Sequence, residues 1–529
     1  MSTPHLAKNV SSIIHSHGKP LRGLMSTAAS PLFQGRFGRM FRLRPATYGH
    51  TDDESRAALI KLGELMSADF DAPKDGNDAE ESGIPSLYTY FGQFIDHDIT
   101  FDPLSSLIKH KDPDALTDFR TPAFDLDNVY GRGPSDQPYM YDGGSKFLLG
   151  KPLGNGAPDL PRNGANPSRA LIGDPRNDEN SIVSQLQALF LRFHNRTVDD
   201  SAGVEFADIQ KRVRFHYQWV VLYDFLPKIV HSSVLDALKT NGKYDRSKLK
   251  FFHWRNKPFM PVEFSVAAYR LGHSMIRPGY RLNDDNSTLL PIFPIPSNTI
   301  PEIPAGIPDG LTGFQEVKAN RGIDWGRFIN VDTRSYGTDD PNDVSTKKRL
   351  QFAYRLDTSL VTPLSVLPPS VAPDKPISLA QRNLIRSFEL GLPSGQDVAC
   401  FMGVPVLKDV DIVIGKAVDD PEDGDVRGTI TDLIKNNTLP GTFKGKCPLW
   451  TYILAEAAKN QEKVTIPVTE KKQISTPRLG PVGGRIVAEV FLGLMFGDND
   501  SFLNLEPNWQ PASGPNFDLP ALVKYALGG

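Results

Sequence analysis

Cysteine is nearly absent. The 529-residue chain carries two, Cys400 and Cys447. Two thiols cannot build a disulfide framework or a thiolate-rich metal cluster. Stability must therefore come from a packed core or a bound cofactor. An excess of one charge is also missing, since the net charge is -3. Nothing here calls for nucleic acid or an anionic membrane as partner. No apolar run reaches the roughly 18 residues of a membrane-spanning helix. The N-terminus lacks the continuous apolar core of a secretory signal. The expected location is cytoplasmic, or outside the cell by another export route. Asp and Glu are missing from residues 1–51, although Lys8, Lys19, Arg22, Arg36, Arg39, Arg42 and Arg44 are present. Such a start can be a transit peptide. Phe33, Phe37, Met40 and Phe41 are spaced to pack, so residues 1–50 read instead as a basic arm against an acidic face. No low-complexity linker interrupts residues 51–529, which read as one large domain.

Glycine and proline are abundant, at 44 each. Helices must then be joined by long, shaped connections. Helical periodicity is expected over 51–72, 85–97, 181–199, 206–230, 262–276, 378–390, 449–459 and 482–496. Residues 102–180 read almost wholly as loop, with Pro103 and Asp112-Pro113 among its breakers. A loop of that length inside a compact chain is usually functional or disordered. Strand patterns are few. The fold class is mainly α: a single large helical domain with long loops and few short strands.

Four polar islands interrupt these apolar segments. The first is Gln93-Phe94-Ile95-Asp96-His97-Asp98, where Gln93 and His97 share a helix face. The second is Gly173-Asp174-Pro175-Arg176-Asn177-Asp178-Glu179-Asn180. The third is Tyr269-Arg270-Leu271-Gly272-His273, and the fourth is Asn383-Leu384-Ile385-Arg386 followed by Leu392-Pro393. Buried polar groups cost free energy unless paired, so each island needs partners. Two histidines on separate helices, each with a polar helper, fit a metal site or a haem. They fit satisfied core histidines as well.

In this order the islands resemble the animal haem peroxidase family, which includes myeloperoxidase, lactoperoxidase and bacterial relatives. The likeness runs from Gln93 to Arg485, and Leu479-Gly480-Pro481-Val482-Gly483-Gly484-Arg485 is similar to the bacterial branch. The resemblance implies a haem b enzyme that reduces H₂O₂ and oxidises a halide, thiocyanate or aromatic donor through a ferryl intermediate. It implies that His97 is the distal acid–base, Arg176 the distal arginine, and Gln93 a hydrogen-bonding neighbour. His273 would ligate the iron and Asn383 would bond its other ring nitrogen. Arg270 and Arg386 would meet the haem propionates. Asp96 and Glu179 match carboxylates that form haem esters in mammalian members. The methionine that adds a sulfonium link in myeloperoxidase is replaced here by Asn180, so no such link is expected. The loop from Thr121 to Gly131 resembles the family's calcium loop, with Thr121, Ala123, Asp125 and Asp127 joining Asp98. Oxygen-only ligands suit Ca²⁺.

Two alternatives remain. Cyclooxygenase-like and fatty-acid α-dioxygenase relatives place a radical tyrosine three residues before the proximal histidine. That position is Arg270 here. Tyr269, four before His273, is expected to point about 100° away on an α-helix. The loop Leu392-Pro393-Ser394-Gly395-Gln396 is, however, similar to loops of some lipid oxygenases. A non-catalytic haem- or calcium-binding relative is the other alternative, and intact Gln93, His97 and Arg176 argue against it.

Overall fold

The computed structural model describes residues 37–68, 73–100, 120–286, 288–294, 310–340, 342–343, 346–369, 371–418 and 426–529. Expectations for Phe33, for the basic residues through Arg36, and for loop positions such as Pro103 and Asp112-Pro113 lie outside the described residues.

Nine α-helices of eight or more residues stand out among the described residues. They are α1 (Asp52–Leu65), α2 (Leu87–Ile99), α3 (Ser181–Asp199), α4 (Phe206–Val220), α5 (Leu379–Glu389), α6 (Gly395–Met402), α7 (Leu449–Lys459), α8 (Gly483–Gly497) and α9 (Leu519–Leu527). The strands there form seven two-stranded sheets. The longest hairpin pairs Gln461–Thr465 with Gln473–Pro477.

Helix α1 starts where Thr51 and Glu54 cap each other reciprocally, which satisfies two otherwise orphaned backbone donors. Helix α2 is apolar on nearly every side, burying Leu87, Tyr88, Tyr90, Phe91, Phe94, Ile95 and Ile99. A helix of that kind belongs at the centre of a large core. It packs on α3 through Phe94 and Phe190, whose rings stack at 4.4 Å. A pair of that kind adds about 0.5–1.5 kcal/mol beyond its area burial. Helix α8 is buried almost throughout. Its start is held by the distant carboxylate of Glu456, which accepts from the backbone N–H groups of Val482 and Gly483.

The expected helix over 206–230 is continuous, but Val221–Phe225 forms a π turn between α4 and a final turn at Leu226–Ile229. That turn delivers Phe225 to the wall of α2, edge-on to Phe91 at 5.6 Å. The N-terminal residues Phe37, Met40 and Phe41 are buried. The amides of Met40 and Phe41 donate to the buried Glu263 carboxylate.

The expected helix over 262–276 does not form as one unit. A single α turn, Val262–Ser265, gives way to a 3₁₀ segment, Ala268–His273. The break has a local cause. The Ser265 carbonyl accepts from Arg270 Nε, and the Val266 carbonyl accepts from Ser387 Oγ. Those carbonyls would otherwise take the next turn's amides. Helices α6 and α9 and the 461–477 hairpin were not anticipated. Ser394 caps α6 by accepting from the Asp397 amide, and Asp518 caps α9 by accepting from the Ala521 amide.

Candidate haem and calcium sites

A cavity of about 510 Å³ lies between α2, the turn at Pro175–Asp178, the 3₁₀ segment and α5. That volume falls within the usual range for cofactor pockets. All nine catalytic and cofactor residues singled out from the sequence line it: Gln93, Asp96, His97, Arg176, Glu179, Arg270, His273, Asn383 and Arg386.

On one side, α2 presents Gln93 and His97 from one face. His97 is buried, and its Nδ1 lies 2.7 Å from Asn177 Oδ1. Burial, and then the neighbouring Arg176 charge, lower its pKa to about 4. The imidazole is therefore neutral at pH 7 and can accept a proton. Arg176 is fixed by several contacts. Its Nη2 donates to the carbonyls of His97 (3.0 Å) and Thr100 (2.6 Å) and to Asp174 (2.8 Å). Asp174 also pairs with Arg120. Burial alone would raise the Asp174 pKa, but the two guanidiniums hold it well below the usual carboxylate range.

Gln93 Nε2 donates to Glu179, and Asn180 Nδ2 donates to Gln93 Oε1 at 3.4 Å. Asn180 also caps α3, its Oδ1 accepting from the amides of Ile182 and Val183 at 3.0 Å. Burial raises the Glu179 pKa to about 7. Asp96 accepts from Thr100 Oγ1 at 3.2 Å.

On the other side, His273 Nδ1 lies 2.8 Å from Asn383 Nδ2. Burial, and then Arg270, lower the His273 pKa to about 3, so this ring is neutral too. The 3₁₀ geometry places Arg270 and His273 on one side, since residues three apart eclipse in such a segment. Tyr269 does not point away from the site as the α-helical spacing implied. It lines the cavity, stacks on Phe264 at 4.8 Å and donates its hydroxyl to the Gly92 carbonyl at 3.2 Å.

Beneath α2, Asp98, Asp125 and Asp127 are buried, with carboxylate oxygens within 4.8 Å of one another. Leu126 adopts a left-handed backbone (φ 58°) and donates its amide to Asp98. Thr121 and Ala123 belong to the same loop, where the Ala123 amide donates to the Thr121 carbonyl. Arg120, not singled out from the sequence, bridges Asp127 and Asp174 and so joins this loop to the Arg176 turn. Asn177 and its partner Gln187 were missed as well. Asn177 stands inside the second island, so its position was visible and its partner was not.

The fold defines the class. Peroxidase A from Dictyostelium discoideum superposes with a TM-score of 0.54 at 15% identity, covering 92% of this chain and 93% of that one. The fatty acid α-dioxygenase of Arabidopsis thaliana superposes at 0.51 with 14% identity, covering 98% of this chain and 85% of that one. This is the haem peroxidase fold. A model of the animal haem peroxidase family matches residues 109–300. That match contains Arg176, Glu179 and His273. A 122-residue segment is also 30% identical to the dual oxidase of Drosophila melanogaster, over 22% of this chain and 7% of that protein. Among the described residues no helix is long and apolar enough to cross a membrane.

Proposed function

We propose that this chain is a haem peroxidase that reduces H₂O₂ and oxidises a small anionic or aromatic donor. The observation that carries the reading is a pair of neutral histidines, on separate elements, lining one cavity with Arg176. The residues fit the group. Two burial-neutralised imidazoles with lone pairs and several guanidiniums suit an iron porphyrin with two carboxylates.

Haem iron, when bound, supplies the redox chemistry of peroxide reduction. The chain's own residues supply the rest. His273 would hold the iron through Nε2. With the Asn383 amide turned so that its oxygen faces the ring, Nδ1–H donates to it and Nε2 keeps its lone pair. Arg270 and Arg386, which line the cavity, would hold the haem carboxylates. Asp96 and Glu179 are assigned as the carboxylates for ester links. On the opposite side, His97 Nε2 takes a proton from one peroxide oxygen and returns it to the departing one. Positioned proton transfer of this kind contributes roughly 10²–10⁴-fold. The fixed Arg176 guanidinium stabilises negative charge as the O–O bond breaks. Asp98, Asp125 and Asp127, with oxygens from Thr121 and Ala123, are assigned to Ca²⁺.

The test is the absorption spectrum of the haem-supplemented protein before and after one equivalent of H₂O₂. A Soret band that shifts with peroxide and returns on adding iodide or a phenol is expected. His273→Ala should lose haem retention, whereas His97→Ala should keep the Soret band and lose its response. A wild-type band indifferent to peroxide would sink the reading. A lipid dioxygenase is the second reading, supported by Tyr269 on the cavity wall. Oxygen uptake on adding a fatty acid distinguishes it.

A further inference from the structure

The ring nitrogen of His97 that does not face the cavity enters a closed circuit of buried amides. His97 Nδ1 meets Asn177 Oδ1 at 2.7 Å, and Asn177 Nδ2 donates to Gln187 Oε1 at 2.8 Å. Gln187 Nε2 donates to the backbone carbonyl of Asn128 at 3.3 Å. Asn128 Nδ2 donates to the carbonyl of Phe94, one turn before His97 on α2. Asn128, Asn177 and Gln187 are each wholly buried.

We infer that Asn177 and Gln187 are positioning residues, a relay that fixes His97 as its Nδ1–H tautomer and leaves the Nε2 lone pair for the cavity. The inference rests on His97 being the base proposed above.

The orientation of the relay is set from its far end. A backbone carbonyl can only accept. Gln187 must therefore turn its NH₂ toward Asn128, which leaves Oε1 for Asn177. Asn177 must then donate to Gln187 and turn its own oxygen to His97. An amide oxygen facing the ring requires a hydrogen on Nδ1. Reversing both side chains would set the Gln187 oxygen against the Asn128 oxygen. That leaves a buried acceptor unpaired, at a cost of about 1–3 kcal/mol. The other tautomer would hold its hydrogen on Nε2 and could not accept the peroxide proton there. Asn177 does not line the cavity and meets His97, so it acts through His97.

Two readouts test this on the full chain. The first is ¹⁵N NMR of protein labelled in its histidine rings, with His97 assigned by its loss in His97→Gln. A slowly exchanging Nδ1–H is expected in the wild type and in Asn177→Asp, which keeps the acceptor. Loss of that signal is expected in Asn177→Leu. An Nε2–H tautomer in the wild type would overturn the relay. The second is the rate of the haem-supplemented protein with H₂O₂. Asn177→Leu and Gln187→Leu should each lower it about 10- to 100-fold with the Soret band retained, as outer partners of histidines typically do. Gln187→Glu should recover most of that loss, because a protonated carboxyl accepts from Asn177 and donates to Asn128. Unchanged rates in both leucine variants would refute the positioning role. If His97→Gln itself leaves the rate unchanged, the underlying assignment of the base fails, and the NMR result still decides the tautomer.

Discussion

Gly173 lies directly on the backbone of Asp127. A Cβ built at Gly173 would sit 2.4 Å from the Asp127 carbonyl oxygen and 2.6 Å from that of Asn128. The turn carrying Arg176 and the loop carrying the acidic cluster thus touch through a position with no room for a methyl group. Gly173→Ala must push the two apart. We expect a loss of about 1–3 kcal/mol, the usual cost of overpacking, seen as a lower Tm. A wild-type Tm and peroxide rate in this variant would show that the two segments move independently.

Asn180 carries two duties, capping α3 and holding Gln93. Asn180→Ala removes a cap worth about 0.5–2 kcal/mol and takes from Gln93 the donor to its Oε1, leaving the bond to Glu179. Thermal unfolding should register the first effect, and an altered halide dependence of the peroxidase reaction the second. Mass spectrometry of the haem peptide from the wild type should find no sulfonium adduct at this position.

Removing calcium should disturb the cavity, because Asp98 follows His97 directly and shares its site with Asp125 and Asp127. The purified protein is expected to hold the ion by elemental analysis. Chelation should lower the Tm and shift the Soret band. An unchanged band after demonstrated loss of the ion would separate that site from the haem.

Glu456 gives a pH test. Burial raises its pKa to about 7 from the ordinary 4.5, although two backbone amides pull it down. The folded protein then holds this proton more tightly than the unfolded chain does. The group's contribution is fully present below pH 4.5 and is lost as pH rises through about 7. Glu456→Gln does not titrate. Its stability relative to wild type should therefore climb from pH 4.5 to 7 and level off above, by roughly 3–4 kcal/mol at about 1.4 kcal/mol per pKa unit. A flat difference in Tm across that range would contradict the shift.

Tyr269→Phe removes only the hydroxyl bonded to Gly92. The peroxide rate should stay within about twofold, at a stability cost of about 1 kcal/mol for the lost hydrogen bond. Fatty-acid-dependent oxygen uptake in the wild type, abolished by this change, would favour the dioxygenase reading.

The islands around His97, Arg176, His273 and Asn383 were legible because each is a short polar interruption of an apolar segment. The cost of burying polar groups marks such interruptions in any context. The sequence spacing around Tyr269 misled for a tertiary reason. Arg270 Nε and the hydroxyl of Ser387, a residue on a distant helix, take carbonyls that the α-helix needed. The relay from Asn177 to Gln187 and Asn128 was invisible for the same kind of reason. Three amide-bearing residues on three segments carry no periodicity that links them. Helix α6 was within reach, since Ser394 three residues before Asp397 is a cap signature. The loop reading of Leu392 to Gln396 covers that cap.

The π turn at Val221–Phe225 has an arithmetic consequence. Such a turn holds one residue more than the α-helical path needs. Deleting a single residue from Val221–Phe225 would let the helix close regularly and leave the turn at Leu226–Ile229 in its present register. Phe225, which packs against Gly92 on the cavity wall, lies inside the turn that such a deletion would remake. The shape of one side of the pocket is thus set by a count of residues as much as by their kind.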